Sequence, residues 1–155
     1  MATKASRSRQ LELSFMVGIF VTDHLIRIHS LFDGDLTAAL VLATIANRSL
    51  QQYYEDVALK SPEGLDELVE AGAHLPHMRH CNAYSVSCAT GIPRETVRRK
   101  VQWLSKKGWV TISERGELAI PAGLSKQFSR FDAETVKRFL EVARRGLRLA
   151  DSSQS

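Results

Sequence analysis

"GIPRETVRRKVQWLSKKGWV", residues 91–110, opens on a glycine, carries six basic residues and closes on a second glycine followed by two apolar residues. Val97, Val101 and Leu104 recur at spacings of four and three, so a helix here has one apolar stripe, with Arg94, Glu95, Arg98, Arg99 and Gln102 outward. Pro93 suits the start of that helix, because its ring presets φ and its missing N–H would have no partner there. The predicted helix covers residues 93–107. One face must pack, and the other must meet something negative.

Upstream, "NAYSVSCATG" (82–91) predicts a short helix that Asn82 caps and Gly91 ends, with Tyr84 and Val86 as inward residues. Downstream the period changes. "WVTIS" (109–113) and "ELAI" (117–120) are β-type runs separated by "ERG", which predicts a hairpin over 109–121 with a glycine turn. Two short helices joined by a glycine turn, the second outwardly basic, form a helix-turn-helix.

Farther out, residues 1–10 are small, polar and basic, and are expected to form a disordered arm. From Leu11 to Phe32 neither proline nor a turn pair intervenes, so residues 11–33 predict a long helix, apolar over much of its circumference and broken at Asp33-Gly34. Asp35 is placed to cap a second, mostly buried helix. An acidic insert, residues 53–78, follows, in which Ser61 and Pro62 can start a short helix that Gly72 ends. Phe131 and Asp132 suggest a staple and cap for a last helix over 131–149, with Val136, Phe139, Leu140, Ala143 and Leu147 as its apolar stripe. Residues 151–155 are a polar tail. The expectation is one domain over 11–150.

The 155 residues carry a net charge of +4, with 44% hydrophobic and 25% charged residues, which is a globular composition. Charge is sorted by segment. Across 51–73 six acids face the single base Lys60, whereas across 79–108 seven bases face only Glu95. A polyanionic partner fits the second segment. The two cysteines, Cys81 and Cys88, form no secreted disulfide framework, and the apolar run at 13–21 is too short for a bilayer, so a cytoplasmic protein without a membrane partner is expected.

Helix, helix, glycine turn, basic helix and hairpin together resemble the winged helix-turn-helix DNA-binding domains of bacterial transcription regulators, MarR-like in general layout. The resemblance covers residues 82–121, with Asp35 to Gln52 as a supporting helix and the insert lying within 35–121. Gly91-Ile92, Thr96-Val97, Arg99, Val101, Leu104 and Gly108-Trp109-Val110 fall where those families carry the turn glycine, the core stripe and the glycine before the wing. Ser87 stands where they usually carry alanine. The resemblance implies a mainly α fold with a small β-hairpin wing and flanking N- and C-terminal helices, acting as a homodimer on double-stranded DNA.

A helix roughly 10–12 Å across fits the major groove of B-DNA and reads base edges with its N-terminal residues. Arg94, Glu95 and Arg98 are therefore expected on bases, with Gln102 on the same outward face. Thr96, Arg99 and Lys100 are expected on phosphate or sugar. Arg115 stands at the hairpin tip, and Asn82 and Ser85 are expected near phosphate.

His74, His77, His80 and Cys81, with Cys88 close by, are ligand-type side chains. Their spacing matches no zinc template and Pro76 breaks the helix that would align them, so no metal or cofactor is assigned. No G-x-S-x-G, phosphate loop, H-E-x-x-H or Gly-rich nucleotide turn occurs, and no enzyme is expected. The alternatives are a winged-helix module for protein contacts, and a sensor whose DNA affinity is switched by a metal in the 74–88 region or by a small-molecule effector.

Overall fold

The computed structural model describes residues 4–56 and 81–151. Among them five helices and a two-stranded antiparallel sheet make a mainly α protein. In chain order these are α1 (Lys4–Leu31), α2 (Leu36–Asp56), α3 (Ala83–Thr90), α4 (Arg94–Lys106), β1 (Thr111–Ile112), β2 (Leu118–Ala119) and α5 (Leu124–Asp151). The chain divides into two compact units, residues 32–128 and residues 1–31 with 129–155.

The core of the first unit lies where α2, α3, α4 and the hairpin meet. Ala38, Val41, Leu42 and Ile45 recur at helical spacing on α2 and are buried with Val86, Val97, Val101 and Leu104. Val110, Leu118, Ile120 and Leu124 close it. Two left-handed glycines bound α4. Gly91, at φ 72°, donates its N–H to the Ser87 carbonyl at 2.9 Å and ends α3. Gly108, at φ 74°, ends α4: its N–H goes to the Ser105 carbonyl and that of Trp109 to the Leu104 carbonyl, each at 3.0 Å, a Schellman arrangement. Side chains brace the first turn as well. Ser87 Oγ donates to the Ile92 carbonyl at 2.6 Å, and Thr90 Oγ1 accepts the Ile92 N–H at 3.2 Å. The serine at 87 thus holds the α3–α4 corner.

The hairpin pairs Thr111 with Ala119 and Ile112 with Leu118, around a Glu114-Arg115-Gly116 loop in which Gly116 has φ 76°. Leu118 also donates its N–H to the Cys81 carbonyl at 2.7 Å, so the residue preceding the α3 cap is tied to β2. Beside the core, Trp109 packs edge-on against Phe32, Phe128 and Trp103, and its Nε1 donates to Gln127 Oε1 at 3.0 Å. The Lys107 ammonium lies 4.8 Å over the Trp103 ring and pairs with Asp33 at 2.9 Å.

Asp35 caps α2 as expected, accepting the Ala38 N–H at 2.9 Å, and it also pairs with Lys100 of α4. Burial alone would raise its carboxyl, but the hydrogen bonds from Lys100 and the Ala38 N–H and the charge of Lys100 outweigh this and hold it below its ordinary value of 3.8. The resulting stabilisation is therefore present above the ordinary carboxylate range and is lost as pH falls through the lowered folded-state pKa. Asp35→Ala should cost about 1–2 kcal/mol in denaturant unfolding at pH 7. Asp35→Asn should recover the cap but lose this part of the acid limb. An acid limb identical to that of the wild type would exclude Asp35 as a contributor.

In the second unit α1 and α5 pair antiparallel. Asp23 meets Arg138 at 2.9 Å, Arg27 donates to the Phe131 carbonyl at 3.0 Å and to Thr135 Oγ1 at 3.2 Å, and Glu12 lies 3.9 Å from Arg145. Phe20 packs on Phe139, and His24 lies between Phe20 and Phe131.

Several expected boundaries shift. The basic arm is helical from Lys4: Lys, Ala, Arg and Gln are good helix formers, and each residue added to an existing helix gains a hydrogen bond without a new nucleus. The last helix starts at Leu124 after the Pro121-Ala122-Gly123 turn, which puts Phe131 and Asp132 inside it and removes their staple and cap roles. Helix α4 starts at Arg94, with Pro93 in the cap position at φ −53°. The Ser61–Gly72 helix, His74, His77 and His80, and the tail after Asp151 lie outside the described residues.

Candidate functional site

An open groove of about 520 Å³ runs along one flank of α4, closed by the start of α3 on one side and by the hairpin on the other. Arg94, Arg98 and Gln102 line it from α4, Arg115 from the hairpin tip, and Asn82 and Tyr84 from α3. Residues four apart on a helix share a face, which is why 94, 98 and 102 arrive together. The burial of Val97, Val101 and Leu104 then turns that row toward the groove.

The remaining expected residues divide by the same 100° per residue. Glu95 and Arg99 are exposed on the outermost face of α4, where Lys106 joins them. Thr96 and Lys100 fall on the opposite flank, away from the groove. Lys100, expected on phosphate or sugar, is half-buried and tied to Asp35, where its charge holds the start of α2.

Asn82 and Ser85, expected near phosphate, hold each other. The Asn82 side chain accepts the Ser85 N–H at 2.9 Å, while Ser85 Oγ accepts the Asn82 N–H at 3.0 Å and donates to the Asn82 carbonyl at 2.9 Å. Both side chains build the α3 capping box. Arg98 pairs with Glu95 at 3.4 Å, with side chains 59% and 83% exposed. A surface pair of this kind is worth about 0–1 kcal/mol, so Arg98 can leave it at small cost.

Tyr84 is the residue that the sequence misplaced. It is 61% exposed, and the Arg94 guanidinium lies 6.0 Å from its ring centroid. Tyr84 and Val86 are two apart, hence about 200° apart on a helix, and only one can face the core. Val86 takes that place. A side-chain hydrogen bond with Cys88, and the charge that thiol can carry, push the Tyr84 phenol above its ordinary range.

Cys81 is buried, which raises its thiol, and its sulfur lies 3.7 Å from Ser85 Oγ. Among the described residues no three His, Cys, Asp or Glu side chains gather as a metal site. No described helix is long and apolar enough to cross a membrane. Comparison with known proteins returns no matching family model, curated protein or solved structure.

Proposed function

We propose that this chain is a winged helix-turn-helix protein that binds double-stranded DNA sequence-specifically as a homodimer and regulates transcription in bacteria. The observation that carries this reading is the convergence of Arg94, Arg98 and Gln102 of α4 with Arg115 of the hairpin on one groove. Helix α4 enters the major groove, with Arg94, Glu95 and Arg98 facing base edges; arginine hydrogen-bonds guanine in bidentate fashion and glutamate accepts from cytosine. Arg99 holds phosphate on the outer face, and Arg115 follows the strand that leaves between helix and wing. Lys100 takes no part, because Asp35 holds it in a half-buried pair.

The dimer is supported by α1 and α5. Phe15, Ile19 and Ile26 on α1, and Val136, Phe139 and Leu147 on α5, are each more than half exposed in the single chain. A twofold axis through such a pair matches a palindromic DNA site.

Selection from a randomised duplex pool at two salt concentrations tests the reading, with a palindromic motif as the expected product. Arg98→Ala should then weaken binding to the selected duplex by about tenfold to a hundredfold, from the roughly 1–3 kcal/mol of a bidentate base contact, and flatten preference at one base pair of each half-site. A wild-type protein that enriches nothing, and whose binding collapses with salt, would sink the DNA-specific reading and leave a basic surface for an acidic protein.

A further inference from the structure

We propose that Tyr84 is a backbone-contacting residue of this interface, its phenol donating a hydrogen bond to a phosphate of the strand lying between α4 and the hairpin. The inference rests on the DNA-binding reading and names a contact that the sequence had placed in the core. Three observations carry it. Tyr84 lines the same groove as Arg94, Arg98 and Arg115, so a strand held by those guanidinium groups runs past its hydroxyl. Of the residues that line the groove from the start of α3, Asn82 is held with Ser85 in the capping box and Ala83 carries no polar group, which leaves the Tyr84 phenol, hydrogen-bonded to Cys88 one turn along the same helix, as the polar side chain there that can turn to a ligand. Its ring also lies under Arg94 at 6.0 Å, where a guanidinium is attracted to the aromatic face. One side chain therefore supplies a phosphate donor and steadies an arginine.

A neutral donor leaves a signature that a basic residue does not. Each phosphate neutralised by arginine releases condensed counterions and adds about 0.9 to the slope of log affinity against log salt. A phenol releases none. Tyr84→Phe, in the full-length protein on the pool-selected duplex, should weaken binding by about tenfold to a hundredfold at every salt concentration, the usual effect of losing a hydrogen bond to a charged group, with an unchanged slope. The loss should be equal on an unselected duplex, because a backbone contact carries no base information. Arg94→Ala serves as the contrast on the same duplex, since its loss removes a charge. Tyr84→Ala should cost more than Tyr84→Phe, and the excess should vanish in an Arg94→Ala background.

Wild-type affinity in Tyr84→Phe, or a loss confined to the selected duplex, overturns the proposal while leaving DNA binding in place. Failure of the wild type to bind any duplex overturns both. Because the side chain is exposed, neither variant should disturb folding, and unchanged tryptophan emission checks this.

Discussion

Leu104→Ala is expected to remove about 2–5 kcal/mol of stability, the usual range for truncating an enclosed leucine when its surroundings close only partly around the cavity. Leu104 is 0% exposed and sits on α4 where the stripe from Val97 through Val101 ends against the core. Its carbonyl also receives the Trp109 N–H that closes the helix, so the turn setting the direction of the hairpin is anchored at the same residue. Against a typical total of about 5–15 kcal/mol the loss is large. The two tryptophans of the chain, Trp103 and Trp109, both lie in the 32–128 unit, so their emission during denaturant unfolding reports that unit. Ile112→Ala, on the exposed first strand, is the comparison and should stay within about 0.5 kcal/mol. Equal costs at the two positions would mean that the packed face of α4 is misassigned. A loss at Leu104 alone ties the outward placement of Arg94, Arg98 and Gln102 to the burial of one stripe.

That stripe was open to sequence reading because its signals are local and redundant. Gly91 and Gly108 adopt left-handed backbone that glycine alone takes without penalty, Asn82 has a cap to make three residues on, and Val97, Val101 and Leu104 keep helical period. What sequence missed depends on partners distant along the chain. Lys100 carries the same charge as Arg99, yet one faces outward and the other meets Asp35, 65 residues earlier. Helical period puts Lys100 on the opposite flank, but that this flank meets a carboxylate follows only from the position of α2. Tyr84 is a different case, since its two-residue offset from Val86 already forbade both from facing inward. The start of α5 was missed because Asp132 offers a sound cap, and a cap residue is also tolerated inside a helix when flanking turns on both sides are helical.

The apolar stripe of α5 leads to the second large effect. Val136, Phe139, Leu140 and Leu147 stand out in sequence as the packed face, but α5 packs on α1 through Phe131, Thr135, Arg138 and, of that stripe, Phe139. Leu147 is 64% exposed and Leu140 41%. Polar residues with specific partners thus share the seam within the chain with Phe131 and Phe139, and Val136, Leu140 and Leu147 are left for something else. Helix α1 is in the same position: it is apolar on nearly all sides, a pattern that normally belongs to an enclosed helix, and only one side is covered. Water is a poor occupant for both faces, and a second copy brings a self-complementary one. Leu140→Glu combined with Leu147→Glu is therefore expected to convert a wild-type dimer into a monomer in sedimentation, with helical content retained because both positions are solvated in the single chain. Affinity for the palindromic duplex should fall by about 10²–10⁴, the advantage conferred when the second half-site is bound from a joined partner. Binding to an isolated half-site should hardly change, since no groove residue is touched. A wild type that sediments as a monomer, or a double variant that stays dimeric, would exclude this face as the interface. Loss of the dimer without loss of palindrome affinity would instead mean that two subunits join on DNA through their α4 surroundings.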